Sequence, residues 1–421
     1  MLKKIYSLLV IAILGLFVGQ NQAYASGGDD PIEAVMHHIG DAHQFHIVGD
    51  MYLPLPCIAY SDAGLFFSLS SAFEYSHANH MSSKAIDGYV LYHDELMHIK
   101  GDFPAGVVEL KTDGHADAHS DQPMPGHSDA HGDKQVVDEH GVHTEGGHDR
   151  DEVHVMHQIT HEGKTYELES ASKLQAMTSW YDFSVTKNVF SMFLAFLLLV
   201  VVFSSVAKAY KKNQGRAPKG LQSLLEPIFV FMRDEVIEPA IGHKWEKFFP
   251  FLMSLFFFIL FSNLLGLIPF FPGGANITGN LGVTLVLAVF TFLVTNLSGN
   301  GHYWRHVLAM PGVPLPILIL LTPIEVIGLF IKPITLLIRL FANITAGHII
   351  ILSLVSLIFI FSNGGEDTGG AVGGGAIAVP FVFAMNFLEL FVAFLQAFIF
   401  TLLSSIYIGA AVEEHHHEEA H

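Results

Sequence analysis

Hydrophobic and polar positions are distributed very differently in the two halves of this chain. From residue 187 to residue 412 the apolar runs are long and the polar interruptions short, whereas the first 186 residues mix short apolar stretches with polar ones. A helix rising 1.5 Å per residue needs roughly 20 apolar residues to cross a hydrocarbon core of about 30 Å. On that measure five crossings are predicted in the second half. The first covers about Asn188 to Ala207. The basic cluster Lys208, Lys211, Lys212, Arg216 and Lys219 just after it should stay on the cytoplasmic side. Residues 221–247 mix apolar and charged positions with prolines, which fits a helix lying along the inner interface. A second span is expected from about Phe248 to Phe271 and a third from Thr278 to Leu297, separated by the Pro272-Gly273-Gly274 turn. Pro314 to Phe361 is apolar well beyond the length of one perpendicular span, so a strongly tilted or bent helix is expected. The glycine-rich stretch NGGEDTGGAVGGGA then reads as a turn, and a last long helix runs from about Val379 to Val412, ahead of a short cytoplasmic tail, residues 413–421.

The first half divides by the same reading. Residues 1–25 place two lysines before a short apolar core and end in Ala23-Tyr24-Ala25, the small-x-small pattern of a cleaved leader. The segment after Ala25 would be exported. Residues 26–110 contain FHIVGDMYLPLPCIAY, LFFSLSSAFEY and GYVLYHDELMHI, short aromatic and β-branched runs cut by Gly, Pro and Asp, so a small β-rich module is expected. Residues 111–186 are read as a loop and linker. Within them His115, His119, His127, His131, His140, His143 and His148 alternate with Asp, Glu and Gly, with almost nothing apolar to build a core, so disorder is expected. Residues 187–412 form the membrane domain. The predicted fold class is therefore an all-α polytopic membrane protein, about five crossing helices ending in a long tilted hairpin, preceded by the β-rich module and the His-rich loop.

Composition sharpens this picture at three points. Of 421 residues 51% are hydrophobic and only 14% charged, which is membrane-protein usage. The formal charge of −19 is carried by the first half and the tail and gives no sign of nucleic-acid binding. A single cysteine, Cys57, excludes an intrachain disulfide and any multi-cysteine metal cluster.

Five ionisable residues sit inside the last two helices: Glu325, Lys332, Arg339, His348 and Glu389. Each is costly in a bilayer and should face protein or water. Glu325, Lys332 and Arg339 are spaced by seven, so they share one helix face, which Asn343 joins a turn later. His348 stands nine residues beyond Arg339, half a turn round and roughly 13 Å along, in a different environment. On the last helix Glu389 and Gln396 share a face, with Asn386 about a turn earlier. Arginine keeps its charge at any accessible pH, so Arg339 needs a carboxylate partner, and none in this helix pair is an obvious permanent match. Glu389 could instead pair with His348 across the hairpin. A moving, external carboxylate would suit Arg339, while Lys332 suits a snorkelling or internal structural role.

The stretches KPITLLIRLFANITAGHIII (Lys332–Ile351) and ELFVAFLQAFIFTLLSSIYI (Glu389–Ile408) closely resemble the two signature helices of F-type ATP synthase subunit a. FSNLLGLIP (Phe261–Pro269) resembles an earlier signature span of the same family. This resemblance covers about Asn188 to Val412 and brings Asn263 in as a secondary polar position beside Lys332 and Asn386. It implies a static, non-catalytic proton-channel subunit that works with the c-ring and b subunits in a bacterial inner membrane. The N-terminal extension would then be periplasmic and the C-terminus cytoplasmic. Arg339 matches the family's essential arginine, which faces the ring and separates two aqueous half-channels. Asn343 and Gln396 match its polar neighbours, His348 and Glu389 match two positions of the outer half-channel with their identities exchanged, and Glu325 resembles an acidic residue near the inner one. No cofactor is implied, and no GxxxxGK[ST] segment offers a nucleotide site.

The competing reading is a zinc or nickel transporter with a His-rich capture loop, since the first half carries most of the 26 histidines. It falters inside the membrane, where the last two helices hold one histidine and a fixed arginine that repels cations. Weak collective metal binding by the exported loop is compatible with either reading. His415 to His417 are as well explained by a short appended tract.

Overall fold

A computed structural model describes residues 40–48, 51–62, 64–76, 80–110, 158–161, 164–170, 180–268, 271, 273–310, 313–362 and 367–413. The leader with its cleavage point after Ala25, the His-rich stretch 111–152 and the tail histidines His415–His417 lie outside the described residues. The chain divides into two compact units. One comprises residues up to 59, 67–70 and 183 onward, and the other residues 60–66 and 71–182.

The smaller unit is built on an antiparallel sheet with strands in the order Val107–Glu109, Lys84–Ile86, Tyr89–Tyr92, Glu95–Ile99, Lys164–Ser170 and Gln158–His161. Its tight hairpins arise from turn chemistry. Asp87-Gly88 and His93-Asp94 both take positive φ, the two-residue turn whose twist matches the strands it joins. Ala85, Val90, Met97, Ile99, Ile159 and Leu168 form the core. The strand Lys164–Ser170 pairs Leu168 with Ile99, so the sheet is completed by residues well beyond position 110, where the sequence reading placed the module's edge. Short polar strands such as QITH and KTYELES show no apolar alternation strong enough to mark them out beforehand.

The larger unit is mostly helical, with a hairpin, Gln44–Val48 with Met51–Pro54, and further strand residues at 56–59 and 67–69. Helix α1 is Lys187–Lys212, opened by the Thr186 hydroxyl accepting from the Val189 N–H and closed by Lys211 and Lys212 against the negative end of its dipole. Next come α2 (Leu221–Phe231), a π-helical turn (Met232–Ile237), α3 (Glu238–Ile241), a tight turn at Gly242–Lys244 with Gly242 at φ 73°, and α4 (Trp245–Gly266). Helix α5 is Leu281–Ser298, capped by Asn280, and α6 is Gly301–Leu308, a short helix the apolar pattern did not announce. Helix α7 runs unbroken from Leu315 to Phe361, 47 residues, through Pro323 and Pro333. Helix α8 runs from Thr368 to Val412.

Five of these segments are long and apolar enough to cross a membrane, namely Lys187–Lys212, Leu221–Gly266, Leu281–Ser298, Pro316–Ile358 and Val372–Val412. Their core centres on α4, where Leu252, Phe256, Phe257 and Ile259 share one buried cluster with Leu336, Leu340 and Ile344 of α7 and Ala397, Phe400 and Ile408 of α8. The outward faces stay apolar, with Phe193 and Leu197 on α1, Ile331 and Ile338 on α7, and Phe387 and Phe391 on α8 exposed. An apolar outside around hydrogen-bonded helices is what a lipid solvent selects. The protein is a multi-pass membrane protein.

Helix α8 begins eleven residues before the expected Val379, inside the glycine-rich run. The Asp367 carboxylate caps it by accepting from the Gly369 N–H at 2.9 Å. Gly370 and Gly374 then lie against Phe361, where a Cβ at Gly370 would strike the Phe361 carbonyl. Glycine here serves close helix approach rather than a turn.

Candidate functional site

Helices α7 and α8 form an antiparallel pair, and their seam is where the polar residues of both meet. His348 Nδ1 lies 3.7 Å from Glu389 Oε1. Glu389 is 3% exposed, and neither of its carboxylate oxygens has a hydrogen-bond partner among the described residues. Gly347 makes room for that carboxylate, since a Cβ at this position would come within 2.9 Å of Glu389 Oε1. Two turns along α8 the buried Gln396 donates from Nε2 to the Arg339 carbonyl at 2.8 Å, which fixes the register of the pair at the level of the arginine.

The Arg339 side chain is partly exposed, and its guanidinium makes no ion pair among the described residues. Asn343, one turn on, is exposed. The seven-residue spacing of Glu325, Lys332 and Arg339 therefore does not chain them into a ladder of internal pairs. Lys332 instead places its ammonium over the Tyr407 ring, 5.5 Å from the centroid, at a small recess lined by Thr291, Asn296 and Tyr303. The contact is internal to the chain. Glu325 is half-buried on α7. Asn386 donates to the Val382 carbonyl of its own helix at 2.9 Å and so looks after itself.

Asn263 joins α4 to its neighbours through two hydrogen bonds. Buried on α4, it donates to the Ala393 carbonyl of α8 at 3.1 Å and accepts from the Thr278 hydroxyl at 2.6 Å. It thereby ties the loop before α5 to the turn of α8 just beyond Glu389. Gly266, one turn further along α4, is in contact with both the loop and the seam. A Cβ there would lie 3.2 Å from the Ala275 carbonyl and 3.6 Å from His348 Nε2. Thr278, Gly266 and Gly347 do not stand out in the sequence. The signal for Gly347 is present in its position next to the one histidine of α7, but only the packing shows what the missing side chain admits.

A buried carboxyl, an imidazole beside it, a buried amide and a guanidinium with no ion pair among the described residues thus lie on one helix pair inside a multi-pass protein. The ATP synthase A chain family model matches residues 189–409, which include every one of these groups. The chain belongs to the ATP synthase A chain family. It is 42% identical over 276 residues to ATP synthase subunit a 2 of Chlorobaculum tepidum, covering 63% of this chain and 74% of that one. ATP synthase subunit a of Chloroherpeton thalassium is 44% identical over 249 residues, 57% of this chain and 71% of the relative. For ATP synthase subunit a 2 of Prosthecochloris aestuarii the identity is 42% over 293 residues, 67% of this chain and 87% of that one. Residues 34–122 match a second model, described as a Domain of unknown function (DUF8433). The A-chain model match therefore begins in the first turn of α1, while the alignments to the Chlorobaculum tepidum and Prosthecochloris aestuarii relatives take in a larger share of the chain than that match.

Proposed function

We propose that this chain is the static proton-channel subunit of a bacterial F-type ATP synthase and that Arg339 is its working centre. The observation that carries the proposal is a guanidinium within a helix long and apolar enough to cross a membrane, with no carboxylate partner among the described residues. A permanent charge in that setting calls for a counter-ion from outside the chain. Carboxylates on a rotating c-ring supply one in turn. A ring carboxyl can enter lipid only when protonated, because the ionised form is too costly in hydrocarbon. Beside Arg339 the ionised form is favoured, so the proton leaves there. Each carboxyl must then exchange its proton through one aqueous path before entering lipid and through another after leaving it. Proton flow and rotation are thereby coupled, and about 2.3 kcal/mol is released per proton for every 100 mV.

Asn343 and Gln396 flank the arginine in this reading, His348 and Glu389 serve the outer path, and Glu325 serves the inner one. Nucleotide chemistry belongs to other subunits. The subunit sits in the inner membrane against the c-ring and b subunits, with residues 26–186 outside the cell membrane and the tail inside. Its parts in this reading are the leader 1–25, an exported module from residue 26 on whose sheet takes in strands Gln158–His161 and Lys164–Ser170, the membrane domain 187–412 and the tail. Membership in the A-chain family disfavours the metal-transporter alternative.

ATP-driven proton pumping in inverted vesicles carrying the whole complex tests the proposal. Arg339→Ala should abolish pumping while the complex still assembles, and Lys332→Ala should pump nearly normally. Wild-type pumping by Arg339→Ala would sink the proposal.

A further inference from the structure

We infer that the hairpin Gln44–Pro54, which lies outside the A-chain match, is a positioning element for the His348–Glu389 pair, with Phe45 as its anchor. This rests on the reading of that pair as part of the outer proton path. Phe45 is 3% exposed and is packed with Ala275 and Ile277, both 1% exposed, in a cluster that Leu53, Phe190, Met192, Phe271 and Val283 complete. Its ring meets Phe271 edge-on at 5.2 Å and Phe190 at 5.9 Å. Just before the hairpin, Asp41 Oδ1 accepts from the Asn188 N–H at 3.0 Å, and the Ala42 carbonyl accepts from the Lys187 N–H at 2.8 Å. The segment thus grips the start of α1 and the loop between α4 and α5 at once.

That loop leads directly to the pair. Residues 275–278 are buried throughout. The Ala275 carbonyl and His348 Nε2 flank the same glycine, Gly266, with no space for a methyl group at full contact distance from the carbonyl. Thr278 holds Asn263, and Asn263 holds the α8 backbone at Ala393, one turn from Glu389. From Phe45 to Glu389 the contacts are continuous and close. A core of this density transmits a cavity at one end as a displacement at the other. Proton-transfer groups are sensitive to displacements of about 1 Å. The domain-of-unknown-function match spans this hairpin, so its first strands acquire a role in holding the proton path.

The test is passive proton conduction through vesicles bearing the whole membrane sector, stripped of the catalytic head and normalised to assembled subunit. The variants are Phe45→Ala, Phe45→Leu and Leu53→Ala, with Glu389→Gln as a control. Phe45→Ala should lower conduction roughly tenfold per assembled complex, and Phe45→Leu should restore most of it by refilling the cavity. Normal conduction by Phe45→Ala and Leu53→Ala beside a silent Glu389→Gln overturns this inference alone. Normal conduction by Glu389→Gln overturns the underlying reading of the pair, and this inference with it. Failure of both hairpin variants to assemble also overturns it, because the hairpin would then be required for folding rather than for placing the pair.

Discussion

Gly347 is the residue at which a single methyl group reports most directly on the seam. In Gly347→Ala the new Cβ would stand 2.9 Å from Glu389 Oε1, and the flexible end of the glutamate rather than backbone would have to give way. The complex should therefore assemble normally while ATP-driven pumping falls severalfold; unchanged pumping would show that the carboxylate's position is immaterial. Asn263 reports on structure instead. Asn263→Leu removes the second donor to the Ala393 carbonyl and leaves the buried Thr278 hydroxyl without its acceptor, a cost of about 1–3 kcal/mol. A lower temperature for dissociation of the solubilised complex would record it. At this scale the ionisable side chains are legible in the sequence, because charge in an apolar run is conspicuous. Gly347, Gly266 and Thr278 are not, because what distinguishes them is what lies opposite.

Among the helices, glycine content alone does not say where two backbones meet. Gly409 of α8 lies against the Ala240 carbonyl of α3, whereas Gly375 of the same helix has open space where a side chain would go. Gly375→Ala should be tolerated, with a gain of up to about 1 kcal/mol in helix propensity. Gly409→Leu should prevent α3 from docking and leave little assembled subunit by immunoblot of the membranes. Equal accumulation of the two variants would contradict the packing described. The same logic explains why the sequence pattern puts the start of α8 too late. A glycine-rich run suits a turn and a tight helix contact equally well, and here the Asp367 cap and the Phe361 carbonyl decide for the helix.

At the scale of the whole molecule, the two units answer to different solvents, and the smaller one carries a pH response of its own. Burial holds the His98 imidazole below its ordinary value of 6.5, against a smaller opposing pull from Glu169, and its Nδ1 has no partner among the described residues. A depressed histidine pKa means that the unfolded chain binds the proton more readily than the folded one. Stability of this sheet should be full above pH 6.5 and decline as pH falls towards the folded value. Faster hydrogen exchange in strand Glu95–Ile99 at pH 5 than at pH 7.5, beyond the intrinsic pH effect and flattened in His98→Phe, is the expected result. The membrane helices, their number and the residues that bear charge within them were determined by the sequence itself, because lipid imposes a length and an apolarity that local composition must satisfy. The closure of the small sheet by strands Gln158–His161 and Lys164–Ser170, the tie from Asn263 to the Ala393 carbonyl and the placing of Lys332 over the Tyr407 ring were decided only by the tertiary structure. Each depends on groups far apart in the chain meeting in space, and no local periodicity encodes which partner arrives.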